Sequence, residues 1–161
     1  MKKTFIIIVL VLLCFLLEFL IFNIGGRWFM PNLLLLLVIF FNLYLGIRYS
    51  IFTAVCAGFM KDSFCASVFG INLVSFVICA YMVTILKRYI YHAGSKASRM
   101  LLVFCIVLIN LIVNYVLLIK FSKVNFFEAV KYLLLPELTT TLIVSTAVFH
   151  NLKKCVSRLS V

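Results

Sequence analysis

Charge is scarce in this sequence. Lys, Arg, Asp and Glu make up 12% of its 161 residues, about half their share of a soluble domain. Long polar stretches are missing too, and 66% of the residues are hydrophobic. A soluble fold of this size hides only about 70% of the surface its unfolded chain exposes, so water could not accommodate so much apolar area. Lipid is the solvent that fits. Acidic residues are the scarcest charges of all, four against fifteen Lys and Arg, for a net charge of +11. The basic residues form no single stripe or tail of the sort that binds nucleic acid. They stand in short clusters between apolar runs, as the loops of a membrane protein do, and no nucleic-acid partner is expected.

Motifs for chemistry are missing as well. No HExxH, GxSxG or paired-carboxylate pattern is present, so the expectation is a protein that is not an enzyme. The six cysteines (Cys14, Cys56, Cys65, Cys79, Cys105 and Cys155) include no CxxC and no Cys/His pair at ligand spacing. Neither a metal site nor a disulfide framework is indicated, no cofactor is expected, and the thiols read as small buried hydrophobes. His92, in a basic loop, and His150, after the last apolar run, read as interfacial side chains. The N-terminus, Lys2-Lys3 before an apolar run from Phe5 to Leu17, looks like a secretory signal. No small-x-small cleavage site follows, and Leu12-Leu13 precede Cys14. An uncleaved first helix is expected.

What the sequence does contain is a series of apolar runs, each near the length of about 20 residues that crosses a bilayer. The expected fold class is an all-α membrane protein, a single polytopic domain over 1–161 with spans at about 4–22, 33–45, 51–60, 71–86, 101–119 and 133–149. The second and third are short and should be shielded by neighbours or thin the bilayer locally. The stretch from Leu33 to Met60 decides the count, because Gly46-Ile47-Arg48-Tyr49-Ser50 interrupts it. With six spans, ten of the fifteen basic residues share a side with both termini: Lys2, Lys3, Arg48, Lys87, Arg88, Lys96, Arg99, Lys153, Lys154 and Arg158. With five, Arg48 falls inside a span and the cluster from Lys87 to Arg99 lands outside, against the positive-inside rule. Six spans with both termini cytoplasmic is the reading adopted. Trp28, Tyr44, Tyr49, Tyr89, Tyr91 and Tyr132 then fall at headgroup level, where Trp and Tyr are favoured.

Polar groups at membrane depth are costly, and each is a candidate for function. They are Glu18, Glu137, Lys61-Asp62, Asn42, Asn110, Asn114 and Thr139-Thr140-Thr141. The six-span topology puts Glu18, Asn110, Asn114, Glu137 and Asp62 in the outer half of the bilayer. Two readings remain open there. Glu18, Asn110, Asn114 and Glu137 form a polar cluster or shallow pocket facing outward, or the Asn and Thr are interhelical glue while Glu18 and Glu137 reach headgroups or pair with Arg27 or Lys61. Pro136 sits where a helix starts. The basic loop from Lys87 to Met100 either touches anionic lipid or a cytoplasmic partner or only enforces orientation.

One set of residues resembles a known family. Met30-Pro31-Asn32 before a Leu-rich run, then Gly46, then Ala57-Gly58-Phe59-Met60-Lys61-Asp62, then Phe69-Gly70, is similar to the bacterial rod shape-determining protein MreD family. The shared motif residues are Pro31, Asn32, Gly58, Asp62 and Gly70; Met60-Lys61 departs from the pattern, which commonly has apolar or small residues there. The resemblance implies a non-enzymatic scaffold of the cell-elongation machinery (the elongasome), which serves peptidoglycan synthesis in the bacterial cytoplasmic (inner) membrane. Its implied partners are the single-pass protein MreC and, through it, MreB, RodA and a class B penicillin-binding transpeptidase. It also implies a fold similar to the substrate-binding subunits of energy-coupling-factor transporters. The alternative function is therefore a small-molecule-binding subunit of a vitamin uptake transporter.

Overall fold

The computed structural model describes residues 2–25, 31–64, 69–90, 96–121, 138–146 and 148–149. All of its regular structure is helical: α1 (Lys2–Gly25), α2 (Leu33–Leu45), α3 (Ile47–Phe64), α4 (Ile71–Ile90), α5 (Lys96–Phe121), and α6, helical at 138–146 and 148–149. A helix thus occupies each expected apolar run. Trp28, Arg27, Tyr91, His92, Cys65, Tyr132, Pro136, Glu137, His150, Cys155 and the basic C-terminal residues lie outside the described residues.

The second helix organises the rest. Leu33 to Phe41 is nine apolar residues with no polar face, and a helix that is hydrophobic all round belongs in the interior. Every residue from Leu33 to Leu43 is buried. Helices α1, α3, α4 and α5 pack around it, and α6 reaches it where Thr141 meets Asn32 and the Phe149 ring stands 5.7 Å from that of Phe40. Those two contacts are eight residues apart on each helix, so α6 runs parallel to α2. A helix of 13 residues is only about 20 Å long, and enclosure by neighbours is what makes that length tolerable.

By contrast, α1 touches the bundle along one stripe, Ile7, Val11, Cys14 and Glu18, and leaves Leu12, Leu16, Phe19 and Leu20 exposed. Together α1, α4 and α5 provide three segments long and apolar enough to cross a membrane: Thr4–Ile24, Ile71–Ile90 and Ala97–Leu118. Helix α3 buries its small side, Ser50, Thr53, Ala54, Ala57 and Gly58, which lets neighbouring backbones approach closely. The described cysteines (Cys14, Cys56, Cys79 and Cys105) are free thiols.

Helices α2 and α3 are separate, as the charge distribution required, but the break is tighter than Gly46–Ser50. Gly46 alone reverses the chain, with φ 93° and ψ 176°. Its N–H donates to Phe41 O at 3.0 Å, its carbonyl accepts from Ser50 N at 3.2 Å, and the Ser50 hydroxyl donates back to Val38 O at 3.0 Å. The third helix therefore starts at Ile47 and runs to Phe64, well beyond 51–60 at both ends, and takes in Arg48, Lys61 and Asp62. A Cβ at Gly46 would meet no atom within 4 Å, yet its backbone conformation is nearly exclusive to glycine. Gly46→Ala should lower unfolding stability by about 1–3 kcal/mol through strain alone, read by titration of the detergent-solubilised protein with a denaturing detergent.

Candidate functional site

A helix start leaves four backbone N–H groups without intrahelical acceptors, and in an interior site each needs another. At α2 all are accounted for. Leu33 N donates to Pro31 O at 3.0 Å and Leu36 N to Asn32 O at 3.2 Å. Leu35 N donates to the Asn32 side chain at 3.1 Å, an N-cap of the usual kind. Leu34 N donates to a Glu18 carboxylate oxygen at 3.4 Å, delivered from α1. Asn32 N itself donates to the Thr141 hydroxyl of α6 at 3.1 Å. Glu18 also forms an ion pair of 3.0 Å with Lys61 of α3, and the Lys61 ammonium lies 5.7 Å from the centre of the Phe76 ring of α4. Lys61, the departure from the family pattern, is thus the counter-charge that Glu18 needs.

The opposite end of α2 mirrors this in sign. Lys87 of α4 donates to Leu43 O at 2.8 Å and to Asn42 O at 3.5 Å. Asn42 donates to Ala80 O at 2.7 Å and to the Thr84 hydroxyl at 3.0 Å. A carboxylate at the start and an ammonium at the end complement the helix dipole at both poles. Sequence reasoning counted Lys87 only as a loop charge. The available signal was its spacing of three from Thr84, which puts both on one face of α4.

The motif residues Gly58, Asp62 and Gly70 meet at a joint between α3 and α4. Gly58 and Asp62 lie one turn apart on α3. A Cβ on Gly58 would stand 2.4 Å from Leu73 Cα, so only glycine lets the first turn of α4 close in. The Asp62 carboxylate then accepts four hydrogen bonds: from Gly70 N at 3.1 Å, Leu73 N at 3.0 Å, Asn72 N at 3.0 Å and Asn72 Nδ2 at 2.9 Å. An anion at a helix N-terminus satisfies both its orphan amides and its dipole. Gly70, with φ 99°, makes the turn that aims those amides. Asp62 is buried and fully occupied within the bundle.

The expected outer cluster divides accordingly. Glu18 is joined to Lys61 and α2, whereas Asn110 of α5 faces α4 and accepts from the Ser75 hydroxyl at 2.7 Å. Asn110 Nδ2 and Asn114 Oδ1 are buried without hydrogen-bond partners. Glu137 lies outside the described residues. Rotation about the helix axes sends Glu18 and Asn110 to different interfaces.

Compared with known proteins, residues 1–155 match the family model described as MreD, rod shape-determining protein MreD. No curated protein and no solved structure matches. Likeness to energy-coupling-factor subunits therefore stays an implication of the family resemblance.

At the α3–α4 joint Gly58 and Asp62 act as a unit. Gly58→Ala should cost about 1–3 kcal/mol by overpacking, and Asp62→Ala about 2–4 kcal/mol by stripping charge-assisted bonds from half-buried amides. The double variant should lose less than the sum, because once the joint opens the second change removes little. Unfolding titrations of the three variants check this.

Proposed function

The chain belongs to the rod shape-determining protein MreD family, and on that premise we propose that it is a non-enzymatic membrane scaffold of the cell-elongation machinery. Membership connects it to the shape-determining MreB/MreC system of bacteria. In our reading it binds MreC directly within the membrane, and through MreC meets MreB, RodA and the class B penicillin-binding transpeptidase. It crosses the cytoplasmic membrane six times with both termini inside, α2 being short because other helices, not lipid, surround it.

The match over residues 1–155 carries the proposal. The way the interior spends its polar groups agrees with it. Both described carboxylates, Glu18 and Asp62, hold helices together, as they must in a brace. The outward faces of α1 and α3 present large apolar side chains such as Leu16, Phe19, Phe52 and Phe59, the surface a bitopic partner helix would meet.

Co-expression of the tagged chain with the MreC of the same bacterium tests the reading. A complex that survives detergent extraction and contains no vitamin-sized adduct by native mass spectrometry is the expected result. Failure to recover MreC, both after extraction and after crosslinking in intact membranes, would contradict it.

A further inference from the structure

The two ends of the bundle differ in charge. Glu18 and Asp62, the carboxylates among the described residues, both stand at the N-terminal end of α2 and are both engaged. The other end collects cations. Arg48 opens α3 two residues past Gly46 and is exposed. The contact of Lys87 with Leu43 O brings the end of α4 to that same corner, carrying the exposed Arg88 and Tyr89 with it. Arg99, near the start of α5, lies 5.4 Å over the Phe149 ring. That ring contacts Phe40, which in turn stacks with Tyr44 at 4.6 Å. Among the described residues the one ion pair is Glu18–Lys61, so Arg48, Arg88 and Arg99 face no carboxylate there.

A second feature leads into this corner. On α4, Val74, Tyr81, Ile85 and Tyr89 are exposed at spacings of seven, four and four, which places them on one face. Arg88, three residues past Ile85, borders the same stripe. From Val74 to Tyr89 it runs about 22 Å along the axis, comparable with one leaflet plus its headgroup layer. An apolar track ending in guanidinium groups and tyrosines suits a ligand with an acyl chain and a phosphate.

We propose that this end of the bundle is a binding site for an anionic diacyl phospholipid, its phosphate held by Arg48 and Arg88 and one acyl chain lying along the Val74–Tyr89 face of α4. Guanidinium forks match phosphate oxygens in pairs, and Tyr89, at the end of the track, fits at headgroup depth. Charge complementarity favours this occupant, and the continuous apolar track favours a lipid over a soluble acidic polypeptide. The site rests on α4 crossing the membrane and is independent of which protein partner the chain binds.

The test uses the detergent-purified full chain, incubated separately with dioleoylphosphatidylglycerol and dioleoylphosphatidylcholine, with bound lipid counted by native mass spectrometry. Each basic residue at an anionic surface contributes roughly a fivefold preference, so phosphatidylglycerol should be retained at least about tenfold over phosphatidylcholine. Arg48→Gln/Arg88→Gln should cut that preference to a few-fold at an unchanged melting temperature without lipid, and raising salt should weaken it in the parent protein. Equal retention of the two lipids, or an unaltered preference in the double variant, overturns the proposal. So does displacement of phosphatidylglycerol by an equimolar soluble polyglutamate peptide, which would assign the patch to an acidic polypeptide.

Discussion

A helix walled in by other helices from Leu33 to Leu43 has little water or headgroup within reach, so its ends draw partners from inside the protein. Each backbone group left unpaired in such surroundings costs several kcal/mol. Helix α2 meets this constraint with groups borrowed from elsewhere in the chain: Glu18 from α1 and Thr141 from α6 at its start, and Lys87 from α4 at its end. Its own segment supplies the Asn32 cap, and Asn42 ties it to Ala80 and Thr84 of α4. Much of the remaining architecture follows. The buried stripe of α1 ends on Glu18, α3 contributes Lys61 as the counter-charge, and α4 is positioned so that its last turns reach the carbonyls of Asn42 and Leu43.

The Gly58–Asp62–Gly70 joint is what allows α4 to take that position. Close approach at Gly58 and capture of three amides and a side-chain amide by Asp62 fix the first turn of α4 against α3. Thr84 and Lys87, further along the same helix, are then delivered to the far end of α2. A short sequence pattern at one end of the bundle thus sets contacts at the other. This gives the motif residues a physical role in holding the helices of the bundle in register.

How much of this could be read from the sequence differs from residue to residue. The unbroken run Leu33–Phe41 announced a helix without a polar face, and Gly46 announced the break, since both signals are local. The sequence leaves Glu18 open to a polar cluster, the headgroups, Arg27 or Lys61, because the choice of Lys61 depends on how α1 is rotated against α3. Lys87 was legible as an orientation charge and not as a helix cap, because its acceptor is 44 residues away. Glu18, Asn110 and Asn114 were grouped by depth along the helices. Depth follows from residue counting, whereas facing direction is decided by packing, so Asn110 belongs with Ser75 instead.

The central claim is that α2 is enclosed and capped at both ends from within the protein. Amide hydrogen exchange of the full chain in lipid nanodiscs measures this directly. An enclosed, capped helix predicts slow exchange throughout Leu33–Leu45, with Leu34 and Leu35 protected as strongly as the middle of the helix. Rapid exchange of those first-turn amides, as in a fraying terminus, would contradict the account.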